Sequence, residues 1–246
     1  MKATERHKLK ENEFARTVAH ARQTLEERGR EFGMVLVVIV LALVAVAGYT
    51  WWRQSRNAKA NTLLAGALAV HEAPVVAPAE PTPGSPMPVE QPGTFRTEQA
   101  KLQAALPKFM EAAEAYPSTD AGIAARFHAA GILAALGRHG ESEQRYKEVA
   151  DTGGTTIYGR TARLGLAEAQ LAQGKFDAAI AIYRDLSTES NPQLPVDGVL
   201  MQLGRAYLRA GKKEDAARAF NRVVEEFPDS VYVADARREL EAAKKG

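Results

Sequence analysis

The chain of 246 residues has no cysteine. That excludes disulfides, thiolate metal sites and a cysteine nucleophile. It leaves the compartment open, because an oxidising space tolerates a cysteine-free protein. An excess of one charge is also missing where it would matter. Residues 95–246 carry 21 Lys/Arg and 21 Asp/Glu, so this part lacks the uncompensated basic cluster that nucleic acid requires. Motifs of chemistry are missing too. The five histidines, His7, His20, His71, His128 and His139, show no metal-ligand spacing. His128 is expected on a helix surface and His139 in a turn. Gly153-Gly154 has no phosphate-loop lysine after it and reads as a loose turn. There is no Gly-x-Ser-x-Gly elbow. The acid pairs Glu214/Asp215 and Glu225/Glu226 fall on exposed helix positions. No enzymatic activity, no metal and no cofactor are expected.

What the chain does have is strongly partitioned. Residues 1–32 hold eight Lys/Arg and six Asp/Glu. Gly33 to Trp52, GMVLVVIVLALVAVAGYTWW, has no charge over 20 residues, a length that reaches roughly 30 Å as a helix and matches a bilayer's hydrocarbon core. Tyr49, Trp51 and Trp52 sit at one end like an interfacial belt. An uncleaved membrane anchor is expected. A cleavable signal peptide is the rival, because Ala45-Val46-Ala47 resembles a cleavage site. Arg16, Arg22, Arg28 and Arg30 precede the span, and Arg53, Arg56 and Lys59 follow it. This small excess places the N-terminus in the cytoplasm and the larger part across the membrane. In the tail, Phe14, Val18, Ala21, Leu25 and Phe32 form one apolar stripe on a charged helix. The stripe suits a partner helix, a membrane surface or a plain solvated helix.

Residues 53–72 read as helix continuing from the span. Residues 73–94 are a proline-rich insertion, since 74–92 hold seven of the chain's twelve prolines. Proline fixes φ and removes a backbone donor, so this stretch is extended. It serves as a spacer or as a ligand for a small recognition domain.

Residues 95–246 repeat. Phe109, Tyr146, Tyr183 and Phe220 stand 37 residues apart. Four residues before each are Ala105, Ser142, Ala179 and Ala216, and three after are Ala112, Val149, Leu186 and Val223. A small residue, an aromatic and an aliphatic at these offsets share one helix face. Gly137, Gly174 and Gly211 stand at the same interval and end the preceding helices, where a left-handed residue is needed. Each unit is therefore helix, glycine turn, helix, and a fixed period of this size marks a helical array. The first unit lacks its first helix in register, and residues 56–72 are expected to supply it. VYVADARRELEAAKKG at the end reads as a capping helix, with Val233, Ala236 and Leu240 facing the array.

Leu200 to Ser230 resembles a tetratricopeptide repeat at Leu200, Leu203, Gly204, Tyr207, Ala216, Phe220 and Pro228. The preceding units are looser, with Gln170 in place of an aromatic, and the period is longer than is usual for that repeat. The resemblance implies an all-α protein: a single transmembrane helix followed by an α-solenoid of hairpins with a cap. It also implies a surface for proteins or peptide segments, lined by first helices. By register, Phe127, Leu164, Glu168, Met201, Arg205 and Arg209 are the candidates to face that groove. Phe127, Leu164 and Met201 are equally suited to core packing. The lysine and asparagine set by which some members clamp an acidic C-terminus is absent.

The whole plan of charged tail, one span and repeat domain resembles the ancillary SecYEG translocon subunit family of bacteria. That likeness implies an inner-membrane protein with its repeats in the periplasm, beside the translocon and periplasmic chaperones. The proline-rich insertion and the long tail depart from the family. Phe227 to Leu240 also resembles the final repeat of the envelope cell-division coordinator family, which works with the Tol-Pal and peptidoglycan machinery.

Overall fold

The computed structural model describes residues 3–76, 92–154, 156–188 and 194–245, with side chains at Arg30 and from residue 33 to residue 244. Among these residues the chain is helical: α1 (Ala3–His71), α2 (Glu98–Ala115), α3 (Asp120–Ala135), α4 (His139–Gly153), α5 (Ile157–Ala172), α6 (Phe176–Leu186), α7 (Val196–Arg209), α8 (Lys213–Glu226) and α9 (Val233–Lys245). Two compact units result, residues 1–55 and residues 56–246.

In the first unit α1 carries the uncharged stretch, and its apolar side chains are bare. Leu36 is 64% exposed and Leu43 is 63% exposed. The helix beginning at Gly33 is long and apolar enough to cross a membrane once. Side chains of the tail stripe at Phe14, Val18, Ala21, Leu25 and Phe32 lie outside the described residues.

In the second unit the last turns of α1 take the place of the missing first helix. Leu63, Leu64, Ala67 and Leu68 pack with Leu102, Ala105 and Phe109 of α2 and with Ala129, Ile132 and Leu133 of α3. The two ends of the insertion meet just beyond. Val76 N–H donates to Phe95 O at 2.8 Å, and Phe95 N–H donates to Pro74 O at 3.0 Å. Residues 77–91 between these ends lie outside the described residues. Pro107 sits inside α2 on an exposed position, so the proline ring takes nothing from the core.

From α2 onward each helix packs on the next. The glycine turns are equivalent. Gly137, Gly174 and Gly211 have φ of 75°, 73° and 74°. Arg138, Lys175 and Lys212 donate back to the carbonyls of Leu133, Gln170 and Tyr207 at 2.8, 2.9 and 2.9 Å. Donors and acceptors both recur at the 37-residue step, which is the glycine-terminated helix cap written three times. Helices α2, α3 and α5 open instead on threonine caps. Thr97, Thr119 and Thr156 accept from Ala100, Gly122 and Gly159, filling orphan donors of the first turn.

The aromatic column lies at the centre of the stack. Phe109, Tyr183 and Phe220 are fully buried, and Tyr146 nearly so. Ala105, Ser142, Ala179 and Ala216 are all buried beside them. Ser142 replaces alanine without penalty, because its hydroxyl donates to Ala130 O at 2.8 Å and so leaves no unpaired polar group in the core. The rings press on bare backbone. A methyl group on Gly204 would come within 2.4 Å of the Phe220 ring, and one on Gly165 within 2.4 Å of the Tyr146 ring. Ala236 and Leu240 of α9 close the last hairpin, while Arg237 and Arg238 face water.

Two sequence expectations are corrected. Gly153-Gly154 is a tight crossing, not a loose turn. A methyl on Gly153 would lie 2.8 Å from Gly159 N, and one on Gly159 would lie 2.3 Å from Gly154 O. The end of α4 and the start of α5 approach too closely for side chains. His139 does not lie in a turn but begins α4.

Two opposite effects of the same substitution follow. Gly204→Ala should destabilise the repeat unit by about 1–3 kcal/mol through overpacking on Phe220. Gly66→Ala, where nothing lies within 4 Å, should stabilise it by about 0.5–1 kcal/mol through helix propensity. Thermal denaturation followed by circular dichroism measures both, and equal effects would discount the ring-on-glycine contact.

Candidate functional site

The first helices of the hairpins, α3, α5 and α7, carry the six groove candidates, and the structure sorts them. Met201 is 1% exposed and belongs to the core. Leu164 is half-buried against the cluster built on α5 to α9. Phe127 is half-buried, edge-on to Tyr146 at 5.6 Å and to Tyr158 at 5.8 Å. Arg205 is half-buried and reaches Glu239 of the capping helix at 3.9 Å. Glu168 and Arg209 are exposed, and among the described residues neither has an ion-pair or side-chain hydrogen-bond partner. Of the six candidates, Glu168 and Arg209 are the two that are exposed. Apolar side chains at the same positions turn inward because each hairpin has another hairpin to pack against.

Of the twelve residues assigned to the repeat core, ten are buried: Ala105, Phe109, Ser142, Tyr146, Ala179, Tyr183, Leu203, Gly204, Ala216 and Phe220. Tyr207 is half-buried and Pro228 is exposed.

Two tyrosines have a polar end that sequence reading leaves out. Gly131 lies beneath Tyr146, its missing Cβ 3.4 Å from the hydroxyl. Gly165 lies under the same ring, and Glu168 is one helical turn further along α5, on the same face. Burial pushes the Tyr146 phenol up to about 12, and the negative charge of Glu168 adds to it. Burial raises the Tyr183 phenol as well. Glu168 adds to the rise and the positive charge of Arg209 opposes it. Glu168 thus lies near both tyrosines, and Arg209 lies near the second. The Tyr183 hydroxyl is buried and has no hydrogen-bond partner among the described residues. Partial loss of water around the carboxylate lifts the Glu168 carboxyl above its ordinary value, although the residue as a whole is exposed. An aromatic column read as core conceals such groups, because a tyrosine in the place of phenylalanine adds one polar atom at the far end of a buried ring.

Elsewhere the junction between the second and third hairpins is tied by one carboxylate. Glu143 accepts from Lys175 at 2.6 Å, Gln173 at 2.8 Å and Gln170 at 3.2 Å. Burial works against its charge, but the three donors outweigh burial and hold it below the usual carboxylate value. Gln170, which breaks the repeat's aromatic pattern, is thereby accounted for. One repeat later, Lys212 reaches Asp177 at 2.7 Å.

His128 is corrected from a surface position to a half-buried one. Its ring stacks on Phe109 at 5.1 Å and lies 6.3 Å from His71 at the end of α1. Among the described residues no group of three or more histidines and acids could hold a metal ion.

The hairpin order, the three equal glycine caps and the aromatic-on-glycine packing define the kind of molecule. A family model described as tetratricopeptide repeat-like domain matches residues 28–245. The chain belongs to the tetratricopeptide repeat-like domain family. Two crystal structures of the nearly identical TPR-like repeats of a putative kinesin light chain from Podosopora anserina are similar, each with 15% identity and a TM-score of 0.52. Each alignment covers 60% of this chain, and 79% and 80% of the other two. A tetratricopeptide repeat protein from Parabacteroides merdae shows 19% identity and a TM-score of 0.49, over 60% of this chain and 55% of the other. At these identities the likeness is one of fold. No curated protein matches the chain. Repeats of this family mediate protein–protein interaction.

Two pH effects follow. Burial, then the charge of His71, lowers the His128 pKa, while Glu72 opposes them. The unfolded state then binds the proton first, so stability should fall as pH drops below the ordinary imidazole value of about 6.5. His128→Leu should flatten that slope in thermal melts from neutral to mildly acidic pH. Glu168 has the opposite sign. Its raised carboxyl costs stability as pH rises above the ordinary carboxylate range toward neutrality. Glu168→Gln should therefore stabilise the protein at pH 7 by at most about 1 kcal/mol, since solvent reaches the group. Destabilisation in the same assay would show that the charge serves the fold.

Proposed function

We propose that this chain is a membrane-anchored interaction scaffold. Helix α1 holds it in a bacterial inner membrane, and the repeat unit offers the α3–α5–α7 face to a protein segment outside the cytoplasm. One observation carries the reading: bare apolar side chains fill the uncharged stretch of α1, in the same chain as a repeat domain of an interaction family. Apolar surface of that extent in water costs roughly 25 cal/mol per Å², so lipid is its natural cover. The arginine excess ahead of the span supports a cytoplasmic N-terminus.

The finer reading follows the likeness of the whole plan to ancillary SecYEG translocon subunits. It makes the repeats an adaptor between the translocon and periplasmic chaperones. A second reading rests on Phe227–Leu240 and its likeness to the envelope cell-division coordinator. It makes the partner Tol-Pal or peptidoglycan machinery.

A photo-crosslinker at position 168 or 209 in intact cells should trap a partner, and protease added from the periplasmic side should remove the repeat unit. Trapped translocon subunits or chaperones would support the adaptor. Recovery of only Tol-Pal or cell-wall proteins would replace it with the second reading. Repeats protected from outside protease, or no adduct from either position, would overturn the docking face.

A further inference from the structure

Three rings from three helices meet where the last turns of α1 complete the first hairpin. His71 ends α1, Phe109 lies in α2 and His128 in α3. Phe109 stacks on the His128 ring at 5.1 Å and meets the His71 ring edge-on at 5.8 Å, and the two imidazoles stand 6.3 Å apart. His71 Nδ1 is buried and has no hydrogen-bond partner among the described residues. The 37-residue register puts Gly165 and Gln202 in the position of His128, so the hairpin plan itself calls for no imidazole there. Among the described residues, the groups facing His128 are His71 and Glu72 of α1 and Phe109 of α2, with Phe127 beside it on α3 and Tyr158 of α5 beyond Phe127. The ion pairs that join α2, α3 and α4, Arg145 with Glu114 and Arg126 with Glu148, include neither histidine. Glu72 is the carboxylate that acts on His128, and it is exposed.

We propose that His71 and His128 form an acid-released latch: neutral rings hold the last turns of α1 on α2 and α3, and protonation of the pair frees those turns while the later hairpins stay folded. The inference does not depend on which partner docks. Imidazole is the side chain whose charge changes in the mildly acidic range. A proton on each ring puts two like charges 6.3 Å apart, inside the screening length of about 8 Å at physiological salt. A charged imidazole is a donor at both nitrogens, and the buried side of His71 supplies no acceptor among the described residues. Burial and the neighbouring His71 already hold the His128 imidazole below its ordinary value, against the pull of Glu72. The released state therefore binds protons more readily, and release grows as pH falls. Apolar contact opposes release, but it is thin: Ala67 is fully buried, while Leu63, Leu64 and Leu68 are covered only in part. Helices α4 to α9 pack on one another in order, so stacking holds them together without α1.

The chain has no cysteine, so one introduced thiol reports one position in the full chain in detergent. Ala67→Cys puts it under the latch and Ala216→Cys in the last hairpin, both at fully buried positions, and Ala69→Cys puts it on the exposed side of α1. Each modification rate is divided by that of the Ala69→Cys protein at the same pH, which cancels the pH dependence of thiolate formation. From about pH 7.5 to about pH 5.5 the Ala67→Cys ratio should rise about fivefold or more, since each proton taken up on release is worth up to about tenfold per pH unit. The Ala216→Cys ratio should stay flat. His128→Gln and His128→Leu, one polar and one apolar, should both abolish the rise, and His71→Gln should reduce it. A flat Ala67→Cys ratio, an equal rise at Ala216→Cys, or a rise that survives in either His128 variant would each overturn the latch. Anchoring and docking are decided separately, by the crosslinking and protease experiments.

Discussion

Phe220 lies against Gly204 and Tyr146 against Gly165 so closely that a single added carbon would overlap the ring. This approach of a flat side chain to bare backbone sets the distance between helices, and the rest of the repeat unit follows from it. The small column of Ala105, Ser142, Ala179 and Ala216 keeps the facing helix near. The glycine caps return the chain at a constant angle, because each uses the same positive φ and the same backbone bonds. Where alanine becomes Ser142, a hydrogen bond to Ala130 O preserves the contact. Stability is then a sum of equal local terms, as expected of stacked repeats.

The same constraint shapes the surface. A first-helix position that packs inward under one hairpin packs inward under the next, so Met201 and Leu164 join the core. Only side chains too polar to follow stay outside. Charges that hold hairpins together are paired, with Glu143 gathering three donors at one junction. Glu168 and Arg209 stay outside as solvated charges.

Much of the architecture was legible in the sequence. The span rests on 20 uncharged residues, and the hairpins rest on the 37-residue register of aromatic, small and glycine positions. Both are short-range patterns with a direct physical meaning. The site was less legible. Register pointed to Glu168, Arg205 and Arg209 together with Phe127, Leu164 and Met201, since position in a repeat does not say how deep a side chain lies. His128 looked like a surface residue because its cover comes from Phe109 and from His71, which is 57 residues away in sequence.

By itself the sequence determined that the chain is helical, that one stretch suits lipid and that the hairpins recur. Hydrophobic run length, periodicity and glycine at the caps are properties of neighbouring residues. The tertiary structure decided how deep each groove candidate lies, which tyrosine hydroxyl is buried without a partner among the described residues and what covers His128. Those depend on what approaches from a distant part of the chain, and no local pattern encodes that approach.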